Sequence, residues 1–276
     1  MDKEAVSRNL QFVKLGGSLI TDKTRAYTPK RDVIARLAEE VRAALEAEPD
    51  LRLLLGHGSG SFGHWAAEPY GTEEGVTTPA EWRGYAEVAA AAGRLNRIVT
   101  DTFLDTGVPV LSLQPSASAR CRDGEVTHLS LRPIREALKK GLLPLVYGDV
   151  ALDDVRGGTI ASTEDLFVYL ADALQPTRIL LLGRVAGVLS GDGEVIPSIT
   201  PESYPRWREV FSPSRGVDVT GGMADKVARM IHLVREHPGT SVRILTGTQP
   251  GLLRRVLLGD ARDIGTSILT RRPQLL

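Results

Sequence analysis

Two glycine-rich turns and the lysines beside them are where this sequence could do chemistry. The first turn is Gly56-His57-Gly58-Ser59-Gly60-Ser61-Phe62-Gly63-His64, and it follows the short apolar run Leu51 to Leu55. Glycines at this density let the backbone bend tightly and bring its N–H groups close to a ligand. A helix starting just after would add its dipole and complete an anion site. The second turn lies in Asp218-Val219-Thr220-Gly221-Gly222-Met223-Ala224-Asp225-Lys226 and opens a helical pattern with Lys226 in its first turn. Lys14 sits inside the apolar run Phe12 to Leu15, directly before Gly16-Gly17-Ser18. An ammonium group in a buried strand is costly unless it reaches a partner, and the glycine pair favours a phosphate as that partner. Lys23 follows in a polar loop, Thr21 to Thr28.

Gly58 to Gly63 also matches G-x-G-x-x-G, so a dinucleotide fold has to be weighed. That fold needs a second strand ending in an acid about 20 residues later to hold a ribose. The chain instead gives Ala80 to Thr106, a long alanine-rich helical pattern, and the dinucleotide reading is rejected.

The elements that must position these residues alternate along the chain. Strands are predicted at Phe12–Leu15, Leu51–Leu55, Val108–Leu113, Leu142–Tyr147, Thr177–Leu182, Val242–Leu245 and Thr266–Leu269. Helices are predicted over Pro29–Ala47 (stripe Val33, Leu37, Val41, Leu45), Ala80–Thr106, Leu131–Lys140, Asp165–Leu174, from Lys226 to Arg235, and Gly251–Leu258. Hairpins are expected around Asp123-Gly124 and between Asp153-Asp154 and Gly157-Gly158, and Pro197 to Ser214 reads as irregular. Ser162 or Thr163 would cap the helix whose first turn carries Glu164 and Asp165. This alternation predicts an α/β fold, a three-layer αβα sandwich around a largely parallel central sheet. Residues 1–276 read as a single domain with soft lobes 1–176 and 177–276.

Lys+Arg and Asp+Glu both number 34, so net charge gives no argument for nucleic acid or a membrane surface, and phosphate recognition must be local. A single cysteine, Cys121, cannot form an internal disulfide, which fits a reducing cytoplasm. No apolar run approaches the ~20 residues needed to span a bilayer. Met1 to Asn9 lacks the apolar core of a secretory signal.

Lys14-Leu15-Gly16-Gly17-Ser18, the glycine loop ending in His64, and Asp218 through Lys226, in that order, resemble the amino acid kinase superfamily. Within it they most resemble the isopentenyl phosphate kinases. The resemblance implies ATP-dependent phosphorylation of isopentenyl phosphate to the diphosphate by a cytoplasmic homodimer. Mg²⁺ would be carried by the nucleotide phosphates, with no metal site on the protein. It implies that Lys14, Gly16, Gly17, Ser18, Gly60, Gly222 and Lys226 hold the ATP phosphates. Ser59 and His64 would hold the acceptor phosphate, Val88 would face the isoprenoid tail, and Thr163 would lie near the acceptor. Lys14, Lys23 and His64 would act in catalysis, with Lys23 on the transferring phosphoryl group. The first lobe would bind the acceptor and the second the nucleotide. The histidine closing the loop marks relatives whose acceptor carries phosphate or phosphonate, so a fosfomycin-type phosphonate kinase is the neighbouring alternative. A non-catalytic nucleotide-binding module is the alternative of a different class, against which the retained lysines argue.

The chain departs from the pattern in three places. Ser59 stands where relatives usually have Gly or Ala, and Glu164 where they often have Asp. Gly183-Arg184-Val185-Ala186-Gly187-Val188 replaces a segment that often reads Thr-Asp-Val-Asp-Gly-Val, with both acids missing, which bears on nucleoside contacts and nucleotide preference.

These residue types suit phosphoryl transfer, which asks mainly for positioning and charge stabilisation. A phosphate monoester has a second pKa of about 6 and is mostly a dianion at neutral pH. It needs no general base, so His64 is expected to donate a hydrogen bond to it. Tyr85, Val88 and Ala92 share one helix face, which reads either as a pocket for an apolar tail or as core. His57, His128, His232 and His237 are expected to be structural or exposed.

Overall fold

The apolar runs assemble into one eight-stranded sheet. The structure, a computed structural model, describes residues 9–210, 221–261 and 263–270. Asp218 to Thr220 of the second glycine turn and the end of the 197–214 segment therefore lie outside the described residues. Numbered in chain order, the large sheet contains β1 (Leu10–Leu15), β2 (Arg52–His57), β3 (Val110–Ser112), β6 (Leu143–Tyr147), β9 (Arg178–Gly183), β10 (Ser198–Ile199), β11 (Ser241–Thr246) and β12 (Thr266–Ile268). Its order is β10-β12-β11-β9-β1-β2-β6-β3, and every pairing is parallel except β11 with β12. β1 is thus flanked by β2 from the first half of the chain and β9 from the second.

Nine helices are described: α1 (Gly17–Ile20), α2 (Arg31–Ala47), α3 (Gly60–Ala67), α4 (Pro79–Asp105), α5 (Leu131–Lys139), α6 (Thr163–Leu174), α7 (Tyr204–Val210), α8 (Gly221–Glu236) and α9 (Leu252–Leu257). Successive strand side chains point to opposite faces, and the two faces bury different partners. Val13, Leu15, Leu53, Leu55, Leu180 and Leu182 pack with residues of α2, α4 and α9. Leu10, Phe12, Leu54, Ile179 and Leu181 pack with residues of α5, α6 and α8. The expected three layers are present, and burial on both faces is why these strands read as unbroken apolar runs.

Two local readings change. On α2 the fully buried stripe is Ile34, Leu37, Ala38, Val41 and Ala44, while Val33 and Leu45 are only partly buried. The 197–214 segment, expected to be irregular, contains β10 and α7; β10 pairs two residues with β12 at the sheet edge, too short a strand to show a period.

A second sheet, ordered β5-β4-β7-β8, is built from β4 (Arg120–Arg122), β5 (Glu125–His128), β7 (Asp149–Asp153) and β8 (Gly157–Ala161). Both hairpins fall at the expected turns. The Asp153 carboxylate ties the turns together, accepting hydrogen bonds from the N–H groups of Asp123 (3.0 Å), Gly124 (2.7 Å), Val155 (2.8 Å) and Arg156 (2.8 Å). Burial pushes its pKa up, but those donors prevail and hold it at about 2. No helix among the described residues is long and apolar enough to cross a membrane.

Candidate active site

The carboxyl ends of β1, β2 and β9 meet where the strand order switches direction, the usual place for a ligand crevice in an open α/β sheet. The Gly16 N–H donates to Leu182 O of β9 (2.8 Å), and a Cβ at Gly16 would lie 2.5 Å from that oxygen. The Gly58 N–H donates to Leu15 O (3.0 Å), and a Cβ at Gly17 would lie 2.5 Å from Gly60 N. The two turns therefore pack main chain against main chain. Thr21 locks them, since its hydroxyl donates to Gly17 O (2.7 Å) and accepts from Ser61 N–H (2.9 Å). Gly60 has φ +52°, and a Cβ there would meet Thr21 Oγ1 at 2.2 Å.

His57 holds this loop from beneath. Its Nδ1–H donates to Gly58 O (3.1 Å), its Nε2 accepts from the Asn96 amide (3.2 Å), and Asn96 Oδ1 accepts from Ser112 Oγ (2.5 Å). The ring stacks on Tyr147 with centroids 5.4 Å apart. Burial lowers its pKa to about 4, so the ring is neutral at pH 7 and free to accept at Nε2. The expectation that His57 is structural agrees with this placement.

Lys14 reaches up from β1 to Glu164 Oε2, and Lys226 Nζ, on α8, lies 3.3 Å from Glu164 Oε1. Glu164 is placed by the start of α6, where Ser162 Oγ accepts from Asp165 N–H (3.1 Å) and Asp165 Oδ2 accepts from Ser162 N–H (3.1 Å). Burial pushes the Glu164 carboxyl up, but the charges of Lys14 and Lys226 overcome this and hold it at about 2. Burial pulls the Lys14 ammonium below its ordinary value, with Glu164 opposing.

These groups open on a cavity of about 820 Å³. Its wall contains Lys14, Gly16, Gly17, Ser18, Lys23, Ser59, Gly60, His64 and Lys226, which brings most of the sequence-predicted site together. Lys23 and His64 are exposed, and the loop carrying Lys23 is fastened to α3 by Thr28 N–H on Ser61 Oγ (3.3 Å) and by Tyr27 against Phe62 (ring centroids 5.6 Å apart). Of the departing segment 183–188, only Gly183, the last residue of β9, reaches the wall, and Arg184 and Val185 are exposed.

Three predicted residues do not line the cavity. Gly222 is exposed near the start of α8. Thr163 is buried, with its hydroxyl donated to His57 O (2.7 Å), because the carbonyl ending β2 takes it. Val88 is core, and the Tyr85–Val88–Ala92 face packs inward because α4 covers the sheet. The apolar wall is formed instead by Val126 of β5, Ile160 of β8 and Val168 of α6. Ile160 packs on the cluster that contains Val88, and the Tyr85 ring lies over Gly158, where a Cβ would meet it at 3.0 Å. Val88 thus belongs to the core on which Ile160 of the wall packs. Thr21 and the shared pairing of Glu164 were missed in the sequence; both are ordinary polar residues whose partners lie far away in the chain.

The profile of the amino acid kinase family matches residues 9–246. The chain is 33% identical over 265 residues to the isopentenyl phosphate kinase of Methanocaldococcus jannaschii, covering 94% of this chain and 98% of that one. It is 38% identical over 229 residues to the isopentenyl phosphate kinase of Haloferax volcanii, covering 82% of this chain and 88% of that one. A crystal structure described as isopentenyl phosphate kinase superposes with a TM-score of 0.79 at 29% identity, over 94% of this chain and all of that chain.

The carboxylate between two ammonium groups gives a pH-dependent stability with a definite sign. Because its folded pKa is depressed, Glu164 contributes stability above its unfolded pKa, lost as pH falls from about 4.5 towards 2. Glu164→Gln should cost about 3 kcal/mol at pH 7 by leaving buried Lys14 without an anion. It should also flatten the acid limb of the stability curve. Urea denaturation at pH 7 and pH 3 checks both, and an unchanged pH dependence would show that the pairing carries no stability.

Proposed function

Because the chain belongs to the amino acid kinase family, we propose that it transfers the terminal phosphoryl group of ATP to isopentenyl phosphate, giving isopentenyl diphosphate and ADP. The observation that carries this reading is the meeting of Lys14, Lys23, Lys226 and His64 on one cavity beside two interlocked glycine turns. Isopentenyl phosphate kinases matching most of the chain supply the acceptor.

On this reading an oxygen of the acceptor phosphate attacks the terminal phosphorus of ATP, and the bond from that phosphorus to the bridging oxygen breaks as ADP leaves. Both reactants are anions and repel. Lys14 and Lys226, with the bare main chain of Gly16, Gly17 and Gly60, hold the nucleotide phosphates, and Ser18 lies beside them. Lys23, exposed on its loop, reaches the transferring group, where charge stabilisation counts most. Ser59 and His64 orient the acceptor phosphate, which is already a dianion and gives up no proton. Mg²⁺ bound to the nucleotide phosphates would add charge neutralisation there, and the lysine-rich wall fits a metal carried by those phosphates. Residues 1–176 supply the acceptor side, and Gly183 and Lys226 supply the nucleotide side from 177–276.

The apolar wall at Val126 and Ile160 favours an isoprenoid tail over a small polar phosphonate. Each buried CH₂ is worth about 0.8 kcal/mol, so pocket depth sets chain-length preference.

ADP release measured with isopentenyl phosphate, fosfomycin and N-acetylglutamate tests the reading. Isopentenyl phosphate should be the preferred acceptor, and preference for either of the others, or nucleotide binding without turnover, would overturn it. His64→Ala should lower kcat/KM for the acceptor by about tenfold or more, with partial retention in His64→Gln. Lys23→Ala should act mainly on kcat. Wild-type kinetics in the alanine variants would remove each from its role. Ile160→Ala, or Val88→Ala in the core it packs on, should raise the use of ten-carbon relative to five-carbon isoprenoid phosphates; an unchanged ratio would place the tail elsewhere.

A further inference from the structure

Arg229 is the one strong cation in the cavity wall from α8 besides Lys226, and nothing in the reaction described above uses it. It follows Lys226 by three residues, so both side chains leave the same face of the helix. Its Nη1 pairs with Asp165 Oδ1 and lies 3.5 Å from Ser162 Oγ. Among the described residues its Nε and Nη2 have no partner, although a guanidinium carries five N–H donors across its three nitrogens. The side chain is 44% exposed and opens on the cavity. It is close enough to Lys14 for its charge to act on that ammonium.

The other wall arginine differs. Arg156 spends Nε on Asp123 (2.9 Å) and turns Nη1 to Glu73 O (3.5 Å), so it is built into the hairpin turn that it carries. Asp165, by contrast, does not depend on Arg229. Its second oxygen accepts from Ser162 N–H (3.1 Å) and Ser162 Oγ (2.6 Å), which keeps the cap of α6 closed if Arg229 leaves.

Charge bookkeeping gives Arg229 its use. Lys14 and Lys226 share Glu164, so these three groups carry a net charge of +1, Lys23 adds one more, and Arg229 adds none while it stays paired with Asp165. Two phosphorylated reactants bring more negative charge than that. We propose that Arg229 is a fourth phosphate-binding cation of this site, held by Asp165 and swung onto a phosphate oxygen when the anions enter. A guanidinium suits this exchange because its fork meets phosphate and carboxylate with the same two-point geometry. The inference rests on the kinase reading, in that the anions it meets are those of the nucleotide or the acceptor.

Equilibrium titrations of ADP, and of inorganic phosphate into the ADP complex, with wild type, Arg229→Gln, Arg229→Lys and Asp165→Asn, test it. Neither probe depends on turnover or on the identity of the acceptor tail, so failure with isopentenyl phosphate would sink the proposed reaction and leave this test standing. Arg229→Gln should weaken one of the two probes by about tenfold, with partial recovery in Arg229→Lys. Weakened ADP assigns the contact to the nucleotide, and weakened phosphate assigns it to the acceptor. Asp165→Asn keeps an acceptor for the cap but frees the guanidinium, so binding should be equal or tighter. A purely structural ion pair predicts the opposite: Asp165→Asn would weaken binding as Arg229→Gln does. That result, or binding of both probes within twofold of wild type in Arg229→Gln, would overturn the proposal.

Discussion

Two ammonium groups pointing into one partly dehydrated cavity repel each other, and Glu164 is what lets Lys14 and Lys226 both stay there. Its carboxylate lies between them in the first turn of α6, buried and ionised, and each lysine approaches a different oxygen. Remove that anion and Lys14, buried in β1, faces the full cost of an unpaired charge in low dielectric. The arrangement is stable without ligand yet leaves net positive charge facing the cavity. On the proposed reaction, a phosphate entering beside the lysines would find donors already gathered.

The rest of the fold serves that meeting. β1 is placed between β9 and β2, so the turns that follow β1 and β2 lie side by side, with no side chain between Gly17 and Gly60. Thr21 ties the turns together and the neutral ring of His57 supports the second one from below. The small sheet closes the far end, its two hairpin turns gathered on the Asp153 carboxylate. Three buried or half-buried polar networks therefore surround a cavity whose reactive groups are few, and each is satisfied by partners from distant parts of the chain.

Much of this was legible in the sequence because the physics was local. Strands buried on both faces announced themselves as apolar runs such as that within Thr177–Leu182, and turns as glycine pairs. Glycines dense enough to allow main-chain contact marked the place where the two turns pack together. What could not be read was which side of an element faced the cavity. The α4 face carrying Tyr85, Val88 and Ala92 has the same spacing whether it lines a pocket or fills a core, and it fills the core. The resemblance placed Thr163 near the acceptor, and what the local sequence does not show is that its hydroxyl donates to His57 O, a partner 106 residues away. The pairing of one acid with lysines from β1 and α8 depends on contacts that no local pattern encodes. The β10 strand was too short to carry a period.

The central claim is that incoming phosphates meet a buried Lys14 ammonium whose proton affinity has been lowered by burial. An arriving anion must then raise that affinity, so binding at alkaline pH, where the phosphates themselves are fully ionised, should draw protons from solution. Calorimetric titration of ADP in two buffers of different ionisation enthalpy measures this directly. The account predicts fractional proton uptake by wild type and its disappearance in Lys14→Met. Binding with no proton uptake, or with proton release, would contradict it.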